Sequence, residues 1–104
     1  MERIKQDPVA GKAYALAEKS LDGITRGNGH PFIEHAIGVA LIARDEIGLD
    51  NNCVAAVFLH EAGRMNPSFE IPENTFSREI LTLKEGLDKI ATINPKDTRL
   101  EAEN

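Results

Sequence analysis

Apolar residues recur along the chain at intervals of three and four, and no segment alternates with period two for long enough to form a strand, so the pattern predicts an all-α fold. Val9, Ala13, Leu16 and Ala17 share one face of a first helix. Asp7-Pro8 starts it: Asp7 accepts from free amides, and Pro8 takes the first helical position, where a missing N–H costs nothing. Three glycines, Asn28 and Pro31 fall between Leu21 and Pro31, which ends that helix and imposes a loop. Pro31 opens a second helix whose expected apolar face is Ile33, Ile37, Ala40, Leu41 and Ile47, with Gly48 as its stop. Asp50 caps a third, Asn51 to about Ala62, which is apolar on nearly all sides from Cys53 to Leu59 and is expected at the centre of a bundle. Beyond a loop holding Pro67 and Pro72, a fourth helix starts near Thr75 and carries Ile80, Leu83, Leu87 and Ile90 on one stripe, slightly weakened by Gly86. Pro95 breaks the pattern, Asp97 reads as another cap, and Thr98 to Asn104 as the first turns of a fifth helix with no terminating signal. The expectation is a bundle of about five helices, truncated at its C-terminal end.

Composition narrows the class. The 104 residues, 1–104, make up one compact unit or a piece of a larger protein, with no room for a second full domain, and the 41 % apolar and 28 % charged residues are those of a folded globular chain. Twelve basic residues against seventeen acidic ones give a net charge of -5, which disfavours direct binding to nucleic acid while leaving room for a small anion at a local basic cluster. A single cysteine, Cys53, forms no internal disulfide, and its apolar surroundings in sequence suggest a buried, inert thiol. No stretch approaches the ~20 apolar residues of a membrane span, and no signal-peptide pattern follows the start, so a cytoplasmic location away from the membrane is expected.

The candidate chemistry rests on histidines. His35 lies in the first turn of the second helix and His60 near the end of the third, beside Glu61. An imidazole from one helix and an adjacent imidazole and carboxylate from another make an N,N,O set suited to manganese, iron or zinc. Neighbouring helical residues diverge by about 100°, so His60 and Glu61 share an ion only over the helix edge. The alternative is a His60 hydrogen-bonded in the core and a solvated Glu61. His30, next to Pro31, reads as an exposed cap residue.

Several segments, taken in order, resemble one family. Arg26-Gly-Asn-Gly-His-Pro-Phe-Ile-Glu-His35 is similar to R-x-x-G-x-P-Y-I-x-H, and Ala55-Ala-Val-Phe-Leu-His60-Glu61 to A-A-L-L-H-D, with Val39-Ala-Leu-Ile and Gly48-Leu-Asp between them. Phe76-Ser-Arg-Glu-Ile, Leu83-Lys-Glu-Gly-Leu and Glu101-Ala-Glu-Asn104 resemble F-G-x-E-V, L-V-x-G-V-T and Q-A-E-N. Residues 13 to 104 thus resemble the HD hydrolase domain of the RelA/SpoT enzymes, which make and degrade the guanosine alarmones ppGpp and pppGpp of the stringent response. The resemblance implies an HD-domain bundle in which His35, His60 and Glu61 stand at manganese-binding positions. It also implies that Arg26 contacts the guanine of a guanosine polyphosphate. A fourth metal ligand, an aspartate beyond the Q-A-E-N segment, has no counterpart before Asn104, so the chain is expected to be the front part of a longer protein with a downstream synthetase domain.

Departures from the family pattern fall on the chemistry. Glu61 stands where the family has Asp, moving the carboxylate out by one carbon–carbon bond. Arg64 and Met65 replace a Glu-Asp pair that handles the attacking water, so no catalytic carboxylate remains there. Losing a positioned general base costs about 100- to 10,000-fold, and an arginine accepts no proton. Gly27 replaces a usual Lys, and Leu21 a common polar residue. The expectation is a degenerate hydrolase site, with manganese held weakly or not at all by residues 1–104, in a protein acting mainly as a GTP pyrophosphokinase. Two alternatives stand beside it. One is an active manganese-dependent pyrophosphohydrolase with a substitute base such as Glu70 or Glu73; the other is a helical interaction module.

Overall fold

The computed structural model describes residues 2–93, which form five α-helices: α1 (Glu2–Gln6), α2 (Pro8–Ser20), α3 (Phe32–Leu41), α4 (Asn51–Met65) and α5 (Arg78–Ile93). A π-helical turn, Ile42–Glu46, extends α3. Among the described residues there is no strand, only an isolated bridge between Thr25 and Pro31. The all-α expectation holds for these residues, and no helix among them is long and apolar enough to cross a membrane. Pro95, Asp97 and the helix expected over Thr98 to Asn104 lie outside them.

The caps read from the sequence are in place. Asp7 Oδ2 accepts from the amides of Val9 (2.9 Å) and Ala10 (2.7 Å), with Pro8 as the first residue of α2. Asp50 Oδ1 accepts from the Cys53 amide at 3.0 Å and starts α4. Helix α4 runs one turn past Ala62 and buries Val54 through Leu59 together with Ala62. It is the central element: α2 and α5 make the most extensive contacts with it, and α3 crosses it as well. Tyr14 of α2 meets Phe58 of α4 edge to face, their centroids 5.6 Å apart.

Several details differ from the sequence reading. Helix α1 is not signalled, because five residues are too few to show a period; its one buried side chain, Ile4, is wholly covered, and Lys5 lies over the Tyr14 ring of α2. It returns so closely on α2 that a β-carbon on Gly11 would lie 3.0 Å from the Lys5 carbonyl carbon and 3.3 Å from the Ile4 oxygen. The buried face of α3 is Phe32, Ala36 and Ala40, with Ile33, Ile37 and Leu41 only partly covered. The wider π turn after Leu41 carries Ile47 off the stripe, leaving it 65 % exposed. Ile90, assigned to the α5 stripe, is likewise 55 % exposed, whereas Ile80 is buried and Leu83 and Leu87 pack against the core.

Leu21, read as a lost polar position, is a core residue at the end of α2. Cys53 is half-buried rather than buried, and lines an apolar groove of about 320 Å³ with Val57, Leu83 and Leu87. Burial, reinforced by Asp50, raises the pKa of its thiol, in keeping with an unreactive group.

Candidate functional site

The loop between α2 and α3 is tied by backbone hydrogen bonds from Arg26 to His30 (2.9 Å), from Gly29 to Arg26 (2.9 Å) and from Phe32 to Ile24 (2.8 Å). Gly29, at φ +86°, makes the turn possible. This closed loop sets the entry of α3 and so directs His35 at the end of α4. Its ring lies against Phe32, centroids 5.1 Å apart, and its Nε2 is 3.1 Å from Glu61 Oε2. On α4, His60 Nε2 is 3.7 Å from the other carboxylate oxygen, Oε1. The structure therefore brings His35, His60 and Glu61 together. Glu61 is not solvated: it is 4 % exposed, the one buried charged side chain among the described residues.

Two further groups complete the cluster. Arg64, one turn after Glu61, donates to Glu61 Oε1 at 3.2 Å, and its guanidinium carbon lies 5.8 Å from the centroid of the Phe32 ring. Asp88 of α5 accepts from His60 Nδ1 at 2.7 Å and forms an ion pair with Lys84 at 2.8 Å. Burial pushes the Asp88 carboxyl up, but the hydrogen bonds and charges of Lys84 and His60 outweigh it and hold the group below its ordinary range. Asp88 is not among the residues the sequence singles out. Its only signals are the i, i+4 spacing to Lys84 and its place at the threonine of the family's L-V-x-G-V-T pattern.

The loop carboxylates considered as substitutes are elsewhere. Glu70 and Glu73 are exposed, and Glu73 lines a separate cavity of about 430 Å³ with Ile71 and Phe76. Arg26 is exposed and lines a shallow recess of about 300 Å³ with Asn28, His30, Glu34 and His35. His30 is exposed as expected, 3.7 Å from Glu34. His60 opens onto a different recess of about 320 Å³, with Arg64, Phe69, Lys84 and Asp88. Met65, which with Arg64 stands where the family pattern has Glu-Asp, is partly buried against the core.

The set His35, His60 and Glu61 does not fit a divalent ion in this arrangement. Both oxygens of Glu61 face an imidazole, and one also takes the guanidinium of Arg64. No buried side-chain nitrogen or oxygen among the described residues lacks a partner. Nor, among them, do three His, Cys, Asp or Glu side chains converge as a metal site requires.

Similarities to known proteins follow the same segments. The HD domain family matches residues 13–104. The chain is 32 % identical over 95 residues to the bifunctional (p)ppGpp synthase/hydrolase SpoT of Escherichia coli K12, covering 89 % of the chain and 13 % of that protein. It is 37 % identical over 81 residues to a probable guanosine-3′,5′-bis(diphosphate) 3′-pyrophosphohydrolase of Synechocystis, covering 76 % of the chain and 10 % of that protein. A probable chloroplastic GTP diphosphokinase of Arabidopsis thaliana is 29 % identical over 93 residues, covering 88 % and 13 %. The chain thus spans about an eighth of the length of these relatives. No solved structure matches it. The helical bundle, the ordered motifs and the pairing of His35 with His60-Glu61 have one common source: the chain belongs to the HD-domain family, as an HD domain of the RelA/SpoT type.

Proposed function

We propose that this HD domain has lost the 3′-pyrophosphohydrolase activity of its relatives and serves a structural or regulatory role in a cytoplasmic protein whose main activity is transfer of pyrophosphate from ATP to GTP or GDP. The observation that carries this reading is the Arg64–Glu61 ion pair at 3.2 Å. HD domains of this family are generally metal-dependent. Where the family pattern has carboxylates to manage the attacking water, this chain has a permanent cation bound to the carboxylate at the third ligand position. A guanidinium neither accepts a proton nor ligates a metal, so the positions that would generate and direct a hydroxide no longer do so. Arg26, exposed on its closed loop beside a shallow recess, is the residue proposed to contact a guanosine polyphosphate, so that the domain senses the nucleotide without cleaving it.

A second reading draws on Asp88. A carboxylate 2.7 Å from His60 is the group that a slow hydrolase built on His35, His60 and Glu61 would need as its substitute base. Asp88, however, is already held by Lys84 and occupies the Nδ1 side of His60, away from Glu61.

One experiment separates the two. Manganese-dependent release of pyrophosphate from ppGpp is measured for the full-length protein and for its Glu61→Asp, Arg64→Glu, Met65→Asp triple variant. Degeneracy predicts no release by the first and recovery in the second. Release by the unaltered protein, abolished by His60→Ala, would establish the slow hydrolase instead.

A further inference from the structure

We infer that Arg64 is the residue that keeps divalent cations out of the His35, His60 and Glu61 cluster, its guanidinium standing as the resident positive charge. This deepens the reading of a degenerate site and rests on it. A carboxylate as buried as Glu61 requires a counter-charge, and a divalent ion or a guanidinium each supply one. Arg64 is fixed one helical turn away and is permanently charged, so Glu61 meets it without any ligand from solution.

The contact falls on the oxygen that matters. Oε1 faces His60 Nε2 across 3.7 Å, the gap a cation bridging the two side chains would enter, and this same oxygen accepts from Arg64 at 3.2 Å. A divalent ion arriving there meets a like charge at the atom both would share. The guanidinium is also steadied on its other side, its carbon 5.8 Å from the centre of the Phe32 ring. His60 Nδ1 donates to Asp88, itself paired with Lys84, so the Nε2 lone pair is left facing Glu61 Oε1, and Arg64 is the cation that holds this oxygen. The Arg64 side chain is 49 % exposed, and replacing it leaves the core intact.

The test reads metal binding, not turnover. Loss of the free manganese signal in electron paramagnetic resonance is followed for the full-length protein, for Arg64→Gln, for Arg64→Lys, and for His60→Ala alone and combined with Arg64→Gln, with far-ultraviolet circular dichroism on each. The binding that counts is the part abolished by His60→Ala, which sets aside ions held elsewhere in the protein. Arg64→Gln should show such binding where the unaltered protein shows none, with an affinity at least about tenfold above the detection limit set for the unaltered protein. Arg64→Lys, which keeps the charge, should stay near the unaltered protein. Unchanged affinity in Arg64→Gln would overturn the inference, as would His60-dependent manganese binding by the unaltered protein. Such binding without pyrophosphate release would sink the role of Arg64 while leaving the loss of hydrolysis standing; pyrophosphate release by the unaltered protein would sink the functional reading itself.

Discussion

Replacing Gly11 with alanine should destabilise the domain, although alanine is the better helix former. The new β-carbon would lie 3.0 Å from the Lys5 carbonyl carbon and nearer still to its oxygen, and backbone atoms have no rotamer with which to give way. Ordinary carbon–carbon contact is about 3.5 to 4.0 Å, so α1 must retreat by about 0.5 to 1 Å. Helix α1 is the element that yields, being five residues long with Ile4 as its one buried side chain. Complete loss of Ile4 burial would cost about 1.5 to 3 kcal/mol, and overpacking that shifts the backbone about 1 to 3 kcal/mol. Alanine in place of glycine within a helix returns about 1 kcal/mol. The net expectation is about 0 to 2 kcal/mol of destabilisation, or a Tm lower by up to roughly 15 °C in a domain of this size. Urea and thermal unfolding of the parent chain, Gly11→Ala, Ile4→Ala and the double variant test this. Once Ile4 is gone the retreat of α1 costs little, so Gly11→Ala in the Ile4→Ala background should be neutral or stabilising. A rise in Tm for Gly11→Ala alone would refute the close approach of α1 to α2.

Other expectations follow from the same contacts. Burial, aided by the Glu18 carboxylate 2.7 Å from its hydroxyl, pushes Tyr14 up to about 12; as the chain has one tyrosine and no tryptophan, phenolate absorbance should titrate near that value. A pKa raised on folding adds stability below about 10 that disappears as pH climbs toward 12. For Asp50 the sign is opposite: the hydrogen bond from the Cys53 amide holds its carboxyl below the ordinary range. Its contribution is therefore present above that range and lost on acidification through the folded pKa, and Asp50→Asn should flatten this part of an acid unfolding curve. Cys53, with its raised pKa, should react with a disulfide reagent more slowly at neutral pH than a free thiol does, and Asp50→Asn should quicken it. Nitrogen NMR of His60 should show the proton on Nδ1, moving toward Nε2 in Asp88→Ala; an unchanged tautomer would mean that Asp88 does not orient the ring.

What the sequence made readable was local. Asp7-Pro8 and Asp50 announced α2 and α4 because a cap acts within three residues, and the apolar stretch around Phe58 marked α4 as central because no polar face was left for water. On α3 the expected stripe of Ile33, Ile37, Ala40 and Leu41 does meet the core, but Phe32 and Ala36 are buried more deeply than the isoleucines, and Ile47 leaves the stripe because the periodicity assumes an unbroken α-helix where a π turn intervenes. His35, His60 and Glu61 were legible as a group through family resemblance, while spacing alone left Glu61 free to be solvated. Asp88 escaped because its partner His60 is 28 residues away and only the docking of α5 on α4 joins them. The Arg64 substitution was visible at once, but its grip on Glu61 was not: it depends on which rotamers a buried carboxylate between two imidazoles leaves open.

The burial of α4 also sets how motion is distributed over the domain. Amides in the middle of α4 should be the last to exchange with solvent, because opening them requires α2, α3 and α5 to separate from it, whereas the loop from 66 to 77 opens by local fluctuation. His60 and Glu61 thus ride on the slowest-exchanging element, and their partners His35 and Asp88 on helices at its flanks. A nucleotide arriving at the Arg26 loop would act on α3 first, and the observable response would be altered exchange in α3 and α5 against an unmoved α4.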